Sequence, residues 1–595
     1  MEKNTLLAVV LSVIVITIGF TVQNILYPPE PVSLAETTDA GTAERIDSRD
    51  AESPSRPEGE SGQEQLPREG VTPSERPVPG NPVREVPREG ISGDPVTYQN
   101  ETMRVVFDPA GARIISLQLL SYTDGEGPVE MIKRGGTDRG ALEFHFGNET
   151  APPVRTLFEK VPSDDQHTLV FRRDFYIEGT PGQPFEVKRT FRFYPGEYVI
   201  ETAVEITNSV NQVIPLDYAG SSYTISFGPQ IGPSYAELDG RNEYRKFFYY
   251  DGGRRRELRL RTEDRSQKEE RLHWASIAGK YFAVIAVPGS ANYTWTFSNE
   301  TPRGLDDGAA MYLSRPLFRS SANRDVQRFY VGPKVTSILN RYDRSDSNAL
   351  GLQNMNFGRI EDRRLLFGWL ENILKFAMQV IYRFVPNYGA AIIILTIIVK
   401  ILLFPLTHKS FESTSKMQLL NPKIQELREK HKDNPQKMNQ AMGELYKKEG
   451  VNPLGGCLPM LVQFPFFIAM FGVFNNHFDL RGATFIAGWI TDLSAPESIW
   501  NFGDFVLPLL GWNDLRLLPI LFVASQLLSS KLMQNPAAGT SNSQMKMMQY
   551  GLPLMFFFIL YNMPSGLLVY WIFSNVLTVG QQAYITRKRK HQATE

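Results

Sequence analysis

A single lysine lies inside a long apolar segment of this chain, where a charged group is costly. The segment runs from Ala390 to Leu406, and Lys400 is its one ionisable residue. At a rise of about 1.5 Å per residue, a helix places Lys400 about 15 Å from Ala390, near the middle of a hydrocarbon layer about 30 Å thick. Its insertion there costs about 2.5–3.5 kcal/mol. Lys400 either extends towards the polar surface that follows Leu406, or faces an ion, water or a polar substrate.

The other apolar segments of the C-terminal half also carry polar residues, and interhelical hydrogen bonds account for some of them. They include Gln463, Gln526, Ser574, Asn575 and Gln581. Voltage sensing needs several charges, and secondary transporters often show inverted repeats, neither of which is evident here. The pattern favours a small polar groove that is open on one side. A transporter of ions or polar solutes, centred on Lys400, remains the alternative.

The composition excludes several classes of function. The chain has 595 residues, a net charge of -1, one cysteine (Cys457) and seven scattered histidines. One cysteine cannot form an intramolecular disulfide, and no zinc-binding spacing or phosphate-binding GxxxxGK[ST] motif is present. We therefore expect no cofactor, no metal site and no nucleotide use. No constellation of catalytic residues stands out, and the residues alone leave an enzyme site open.

The N-terminal region predicts a membrane anchor (residues 1–27) and then a linker. Leu6 to Leu26 is long enough to span a bilayer, and it is longer than the apolar part of a typical signal peptide. An uncleaved anchor is therefore favoured over a cleaved signal peptide. Residues 28–95 are rich in Pro, Glu, Arg, Ser and Gly, which predicts a disordered linker.

Residues 96–345 predict a large all-β domain outside the membrane. Short segments rich in Val, Ile, Phe, Tyr and Thr alternate with turn residues. The basic run from Arg254 to Arg271 is interleaved with Glu and Asp, which predicts a solvated loop. A carbohydrate-active β domain on a membrane anchor is a further alternative function. The predicted strands are Met103–Phe107, Arg113–Leu117, Ala141–Phe146, Thr168–Ile177, Phe185–Tyr194, Tyr198–Ile206, Tyr281–Val287, Tyr293–Phe297 and Arg328–Val331.

The C-terminal half predicts an α-helical membrane core of five spans. Residues 362–385 have the spacing of an amphipathic helix in the membrane interface. The loop at 407–450 has nine Lys and Arg against six Asp and Glu, which places it in the cytoplasm and predicts a helical hairpin. The same charge rule places both termini in the cytoplasm. The remaining predicted elements are the span 388–406, four spans within 454–583 and a basic cytoplasmic tail at 584–595.

Several long motifs resemble those of the YidC/Oxa/Alb family of membrane-protein insertases. They occur in the order found in the family, and the resemblance covers roughly Asp362 to Lys590. The N-terminal anchor, the linker and the β domain match the Gram-negative architecture of that family. The motifs are NYGAAIIILTIIVKILLFPLT from Asn387, KMQLLNPKIQELREKHKDNPQKMNQAMGELYKKEGVNPLGGCLPMLVQFPFF from Lys416, FDLRGATF and WITDLSA after Phe478, and PSGLLVYWIFSNVLTVGQQ from Pro564.

The resemblance implies a role for several residues. Family members often carry Arg at the position of Lys400, where the basic group attracts acidic groups of a substrate. Lysine keeps the charge but loses bidentate recognition. Thr396 lies one turn before Lys400 on the same helix face. Tyr570 and Trp571 match positions where aromatic residues meet the emerging substrate, although core or interfacial packing explains them equally well. Gln526 is a groove candidate by its polarity alone.

The resemblance also implies the function and location. It predicts an insertase and folding chaperone of the inner membrane, with a periplasmic β-supersandwich domain and a hydrophilic intramembrane groove. The substrates would be nascent membrane proteins, inserted alone or with the Sec translocon. The hairpin and the basic tail would contact the ribosome or signal recognition particle machinery, and the protein would work in direct contact with the lipid bilayer.

Overall fold

The structure, a computed structural model, describes residues 83–124, 127–132, 138–208, 210–228, 244–261, 263–300, 308–361, 367–431, 434–450, 458–503, 505–508, 510–533 and 550–594. The predicted anchor (1–27) and the predicted linker as far as residue 82 lie outside these ranges. Within them, a sheet-rich N-terminal region is followed by a helical C-terminal region, which confirms the predicted division of the chain.

Nineteen strands form the N-terminal region in the described residues. They are β1 (Val83–Glu85), β2 (Val96–Gln99), β3 (Met103–Asp108), β4 (Arg113–Asp124), β5 (Gly127–Glu130), β6 (Glu143–Phe146), β7 (Glu159–Val161), β8 (Thr168–Ile177), β9 (Phe185–Phe193), β10 (Val199–Asn208), β11 (Ser221–Phe227), β12 (Lys246–Tyr250), β13 (Arg255–Leu258), β14 (Arg265–Lys268), β15 (Trp274–Ala278), β16 (Phe282–Val287), β17 (Thr294–Asn299), β18 (Ala309–Pro316) and β19 (Ala322–Pro333).

These strands form three antiparallel sheets around one large apolar core. The ten-stranded sheet has the order β1-β8-β9-β10-β19-β16-β15-β12-β13, with β7 paired to β8. The five-stranded sheet has the order β14-β17-β18-β11-β6, and the four-stranded sheet has the order β2-β3-β4-β5. Alternate residues of β8 and β9 are buried, as expected for strands with one face on a core.

Two expectations for this region are wrong. The predicted linker (28–95) includes β1, which pairs with β8 at the edge of the ten-stranded sheet. The basic run Arg254–Arg271 is not a loop, because it contains β13 and β14. Both strands lie at sheet edges. An edge strand needs little apolar sequence, and charged side chains there discourage pairing with other chains.

The C-terminal region is helical. The short helix α1 (Thr336–Leu339) follows β19. A two-stranded ribbon, β20 (Trp500–Asn501) with β21 (Asp514–Leu515), lies between two of the later helices. Single 3₁₀ turns lie at Asn340–Asp343, Ser345–Ser347, Phe357–Ile360 and Phe478–Leu480. The helices are α2 (Gly368–Phe384), α3 (Tyr388–Leu419), α4 (Asn421–Lys430), α5 (Pro435–Lys448), α6 (Leu458–Asn476), α7 (Leu518–Met533), α8 (Leu552–Leu560) and α9 (Ser565–Thr594).

Two helices run past their predicted ends. The predicted span 388–406 is part of α3, which passes through Pro405 and continues to Leu419. The predicted tail 584–595 continues α9 as far as Thr594. The hairpin at 407–450 therefore consists of the end of α3 with α4 and α5, which pack through Leu420 and Ile424.

One helix in the described residues, over Tyr388–Pro405, is long and apolar enough to cross a membrane by length and composition alone. Gln463–Phe474 and Leu518–Ser530 are shorter apolar helical segments. The apolar helix α8 has nine residues. The predicted number of five core spans therefore stays a prediction.

An aromatic contact joins the β region to the helical region. Phe478, just after α6, lies with its ring centroid 5.0 Å from that of Tyr122, 5.8 Å from Tyr281 and 5.5 Å from Phe282. Arg481 donates a hydrogen bond of 2.7 Å to the carbonyl of Thr123. All three ring pairs are edge-to-face, the arrangement that aromatic rings prefer.

Candidate functional site

Lys400 lies between three helices and makes two polar contacts. Its Nζ donates to Oγ1 of Thr578 on α9 at 2.8 Å and to Oε1 of Gln463 on α6 at 3.5 Å. Gln463 in turn donates from Nε2 to Oγ of Ser574 at 3.2 Å. The side chain therefore points into the helical bundle, where neutral oxygen atoms hold it.

A line of polar residues along α9 extends this arrangement. Asn575 donates to Oγ of Ser525 on α7 at 3.0 Å, and Gln581 donates to Oγ1 of Thr407 on α3 at 2.9 Å. Each pair joins two different helices. The polar residues that the sequence places in separate apolar segments thus meet one another across the bundle.

A small pocket connects Lys400 with two other predicted site residues. It is lined by Thr396, Val399, Lys400, Leu403, Thr407, Gln463 and Tyr570. The space open to the centre of a water-sized sphere is about 10 Å³, about what one water molecule needs. Thr396 is almost fully buried, and its hydroxyl donates to the carbonyl of Ile392 at 2.6 Å. Thr396 therefore shapes the pocket while its own hydroxyl is satisfied within α3.

The structure places the other two predicted site residues away from this pocket. The Trp571 ring stacks on Phe467 with centroids 4.6 Å apart and on Phe522 with centroids 5.2 Å apart. These contacts pack α9 against α6 and α7. Gln526 lies on α7, next to Ser525, and does not line the pocket formed by the described residues.

The opposite end of the bundle is apolar. Ile392, Val473, Phe474, Leu567 and Leu568 are buried there in one core with other apolar residues of α2, α3, α6, α7 and α9. Along α3 and α9 the buried residues change from apolar to polar in the direction of the chain. Along α6, which runs the opposite way, the change is reversed. The bundle is thus polar at one end and closed by apolar packing at the other.

The loop between α6 and α7 completes the closed end by capping two helices. Glu497 is buried and accepts hydrogen bonds from the backbone N–H of Leu518, at the start of α7, and from the indole of Trp489, at 2.7 and 2.9 Å. At the start of α9, the backbone N–H of Ser565 donates to the carbonyl of Ala495 at 2.8 Å. These contacts satisfy polar groups that helix ends leave exposed.

Lys400 has no carboxylate as a counter-ion among the described residues, since none lies within 4 Å of its Nζ. A positive charge in a low-dielectric bundle attracts a negative group more strongly than it would in water. Neutral hydroxyl and amide oxygens orient the ammonium without cancelling its charge. The arrangement can therefore attract an anion.

Thr578 is a contact of Lys400 that the sequence analysis missed. Its signal was available, because Ser574, Thr578 and Gln581 follow the spacing of one helix face. Thr407 was also missed. It follows Lys400 by seven residues, two turns along α3, and so lies on the same helix face. Threonine is common on apolar helices, so neither residue stood out singly.

Comparisons with known proteins cover both regions of the chain. The family model described as "60Kd inner membrane protein" matches residues 380–593, and the one described as "YidC periplasmic domain" matches residues 95–375. The membrane protein insertase YidC of Treponema denticola is 37% identical over 607 residues, which are 99% of this chain and 100% of the relative. That of Treponema pallidum is 32% identical over 636 residues, which are 100% of both chains.

A solved structure aligns with much of the chain. The crystal structure of an active YidC insertase with its first transmembrane domain resolved covers 85% of this chain and 94% of its own, at 17% identity and a TM-score of 0.35. The family assignment rests on the two family models and on the full-length sequence relatives. By these, the chain belongs to the YidC family of membrane protein insertases, which act at the inner membrane.

Proposed function

We propose that the polar end of the bundle is a groove in which Lys400 attracts an acidic segment of a nascent membrane protein. The observation that carries this proposal is the contact of Lys400 with neutral oxygen atoms of Thr578 and Gln463, without a carboxylate among the described residues. The cost of keeping lysine inside an apolar helix is offset if its charge meets an acidic substrate. Thr396 and Tyr570 form the walls of the same groove.

The groove opens on the cytoplasmic side and is closed towards the periplasm. The excess of Lys and Arg in the hairpin (407–450) favours the cytoplasm for the polar end of α3. The apolar core and the capped loop between α6 and α7 then lie on the periplasmic side. This orientation agrees with the family model of a periplasmic domain that matches residues 95–375. A polar segment entering the groove crosses only part of the bilayer before it must be released.

The apolar part of the substrate leaves along the outer surface of α3. Ile397, Ile398, Ile401 and Leu402 are exposed on this helix. Because these side chains are as apolar as lipid tails, a substrate helix exchanges lipid for protein there at little cost. We place Trp571 and Gln526 near this exit path of the substrate. Trp571 contributes by fixing α9 against α6 and α7.

We assign recruitment to the hairpin and the C-terminal end of α9. Both are basic in sequence, which suits contact with the ribosome or with signal recognition particle machinery. Insertion with the Sec translocon is the second mode that we propose. In either mode the protein is not an enzyme and uses no cofactor, and the N-terminal anchor keeps it in the membrane with both termini in the cytoplasm.

Reconstitution tests this function against solute transport. The full-length protein is placed in vesicles of phosphatidylethanolamine and phosphatidylglycerol, and a single-span substrate with an acidic outer segment is synthesised outside them. We expect a protease-protected substrate fragment in proportion to the protein added, without stoichiometric uptake of ions or small polar solutes. Solute uptake without substrate insertion would instead support the transporter alternative.

A further inference from the structure

The loop between α6 and α7 exposes apolar side chains that the proposed groove does not use. The segment 499–515, called the ribbon loop below, contains β20, β21 and the turn between them. Exposed apolar clusters mark surfaces that contact a membrane or another protein. The exposed apolar residues of the ribbon loop, each between 37 and 68% exposed, are Ile499, Trp500, Phe505, Val506, Leu510 and Leu515.

The backbone of the ribbon loop forms hydrogen bonds within the loop itself. Strand β20 pairs with β21, and beyond them the N–H of Phe502 donates to the carbonyl of Asn513 at 2.7 Å. Nearer the tip, the N–H of Leu507 donates to the carbonyl of Trp512 at 2.7 Å, and the N–H of Gly511 donates to that of Leu507 at 3.0 Å. Unpaired N–H and C=O groups are costly in apolar surroundings. This pairing therefore lowers the cost of placing the loop in the membrane interface.

Polar side chains at the base of the ribbon loop also bind one another. One oxygen of the Asp514 carboxylate accepts from the hydroxyl of Ser498 at 2.7 Å and from the amide of Asn501 at 2.8 Å. Its other oxygen lies 3.4 Å from the guanidinium of Arg516. The ribbon loop has two carboxylates and no lysine or arginine in its sequence. Its polar groups are thus engaged internally while its apolar side chains are exposed, the reverse of a loop suited to water.

The ribbon loop continues the exposed apolar surface of α8. The Trp512 ring stacks on Tyr561 with centroids 3.5 Å apart, and it lies 5.9 Å from the ring of Phe558. Phe558 and Leu554 are exposed on α8, in which every residue is apolar. In a protein of the inner membrane, an exposed helix surface without polar residues lies against lipid. Lipid in contact with α8 therefore reaches the ribbon loop through Trp512.

The side-chain types of the ribbon loop favour lipid over a protein partner. Trp500 is the most exposed of its apolar residues, and tryptophan is enriched where headgroups meet acyl chains. A protein partner would also need polar contacts, about one hydrogen bond per 100–200 Å² of interface. Asn501 and Asp514 already use their side chains within the loop.

We propose that the ribbon loop lies in the headgroup region of the bilayer, with Trp500, Phe505 and Val506 inserted between the upper parts of the acyl chains. The choice of the periplasmic leaflet rests on the orientation in the proposed function, whereas contact with lipid does not. Together with α2, which the sequence predicts in the membrane interface, the ribbon loop fixes the depth of the closed end of the bundle.

Fluorescence quenching by brominated lipid tests this proposal on the full-length protein. Cys457→Ser removes the single cysteine, and Val506→Cys is then labelled with the fluorophore nitrobenzoxadiazole. The vesicles of phosphatidylcholine and phosphatidylglycerol contain a phosphatidylcholine brominated near either the carboxyl or the methyl end of its acyl chains. We expect loss of fluorescence with both lipids, and a greater loss with bromine near the carboxyl end.

Three further labels in the Cys457→Ser protein provide the comparisons. Leu510→Cys is a second site in the ribbon loop and should be quenched like Val506→Cys. Leu554→Cys on α8, 56% exposed, should also be quenched. Val213→Cys in the β region, 55% exposed, is the matched control outside the bilayer and should keep its fluorescence. Thermal unfolding identifies the variants that are folded.

Folded Val506→Cys and Leu510→Cys that keep their fluorescence in both brominated vesicles would overturn the proposal. Energy transfer between donor- and acceptor-labelled copies of Val506→Cys, without quenching by lipid, would assign the cluster to contact with a second copy of the chain. Neither measurement involves Lys400, so this proposal and the proposed groove can fail separately.

Discussion

Lys400 Nζ on α3 lies 2.8 Å from Thr578 Oγ1 on α9, a contact between two residues 178 positions apart in sequence. The hydroxyl of Thr578 donates onward to the carbonyl of Ser574 at 2.8 Å, so its oxygen is oriented to accept from the ammonium. The ammonium of Lys400 is thereby held inside the bundle, in the pocket that Thr407, just after Leu406, also lines.

Thr578→Val should weaken insertion because it removes the acceptor that orients Lys400 and keeps the side-chain shape. We expect insertion of an acidic substrate to be slower by about tenfold or more, in line with the loss of one hydrogen bond to a charged group, about 1.5–3 kcal/mol. Thr578→Ser keeps the hydroxyl and should restore the parent rate. Equal rates for Thr578→Val and the parent would show that Lys400 needs no positioning by α9.

Glu497→Gln should destabilise the closed end of the bundle. Both oxygens of Glu497 accept hydrogen bonds, from Leu518 N–H and from Trp489 Nε1–H. The amide would place a donor against a donor in a buried site, at a cost of about 1–3 kcal/mol. A lower midpoint of thermal unfolding is expected, compared with Glu444→Gln on the exposed surface of α5. A midpoint equal to that of the control would rule out this capping role.

Phe478→Ala should loosen the contact between the β region and the helices. Each edge-to-face aromatic pair contributes about 0.5–1.5 kcal/mol, and Phe478 makes three with Tyr122, Tyr281 and Phe282. Hydrogen exchange of the backbone amides at 477–481 should become faster. The control is Phe376→Ala, since Phe376 is 68% exposed on α2. Unchanged exchange in Phe478→Ala would mean that other contacts hold the two regions together.

The stability of the β region should fall as the pH decreases from 7 to 5. Burial lowers the folded-state pKa of His145 below its ordinary value of about 6.5. The unfolded state then binds more protons than the folded state. The contribution of neutral His145 to the free energy of unfolding is therefore complete above about pH 6.5. Below that pH the free energy of unfolding decreases, by at most about 1.4 kcal/mol per pH unit. Hydrogen exchange of β6 amides at several pH values measures this slope.

His145→Asn provides the comparison for that slope. The variant loses buried contacts and should be less stable at every pH, but its stability should depend less on pH between 7 and 5. The other titratable groups of the β region are present in both proteins, so the difference between the two slopes reports on His145. The same slope in parent and variant would mean that His145 is not the group responsible.

Sequence patterns predicted elements best where one face of the element meets a core and the other meets solvent. β8 was predicted at Thr168–Ile177, its observed bounds, because its residues alternate between buried and partly exposed. β11 and β18 were missed. β11 is buried throughout, and β18 is buried over its first six residues, so neither shows a clear period of two. The predicted span ended at residue 406, but α3 continues past Pro405 to Leu419, as proline permits in membrane helices when neighbours satisfy the freed carbonyl.

The sequence predicted part of the candidate site. A lysine inside an apolar segment identified Lys400, and motif position brought in Thr396 and Tyr570, which line the same pocket. The partners of Lys400 required the packing of α3 against α6 and α9, which no local pattern contains. Trp571 stacks between Phe467 and Phe522, and its contact with a substrate stays a prediction.

The most direct test of the proposed groove varies the charge at Lys400. Cells depleted of their own insertase receive the parent, Lys400→Arg, Lys400→Gln or Lys400→Glu, with Lys188→Gln in the β region as the matched control. Insertion is scored for a single-span protein with an acidic outer segment and for a version whose acidic residues are neutralised.

The account predicts that Lys400→Arg and Lys188→Gln insert the acidic substrate as the parent does. Lys400→Gln should slow it by about tenfold, as expected when roughly 1–4 kcal/mol of attraction between two charges is lost, and Lys400→Glu should slow it further. The neutralised substrate should depend much less on the residue at 400. If Lys400→Gln inserts the acidic substrate as well as the parent does, the groove acts without its charge and the central claim is wrong.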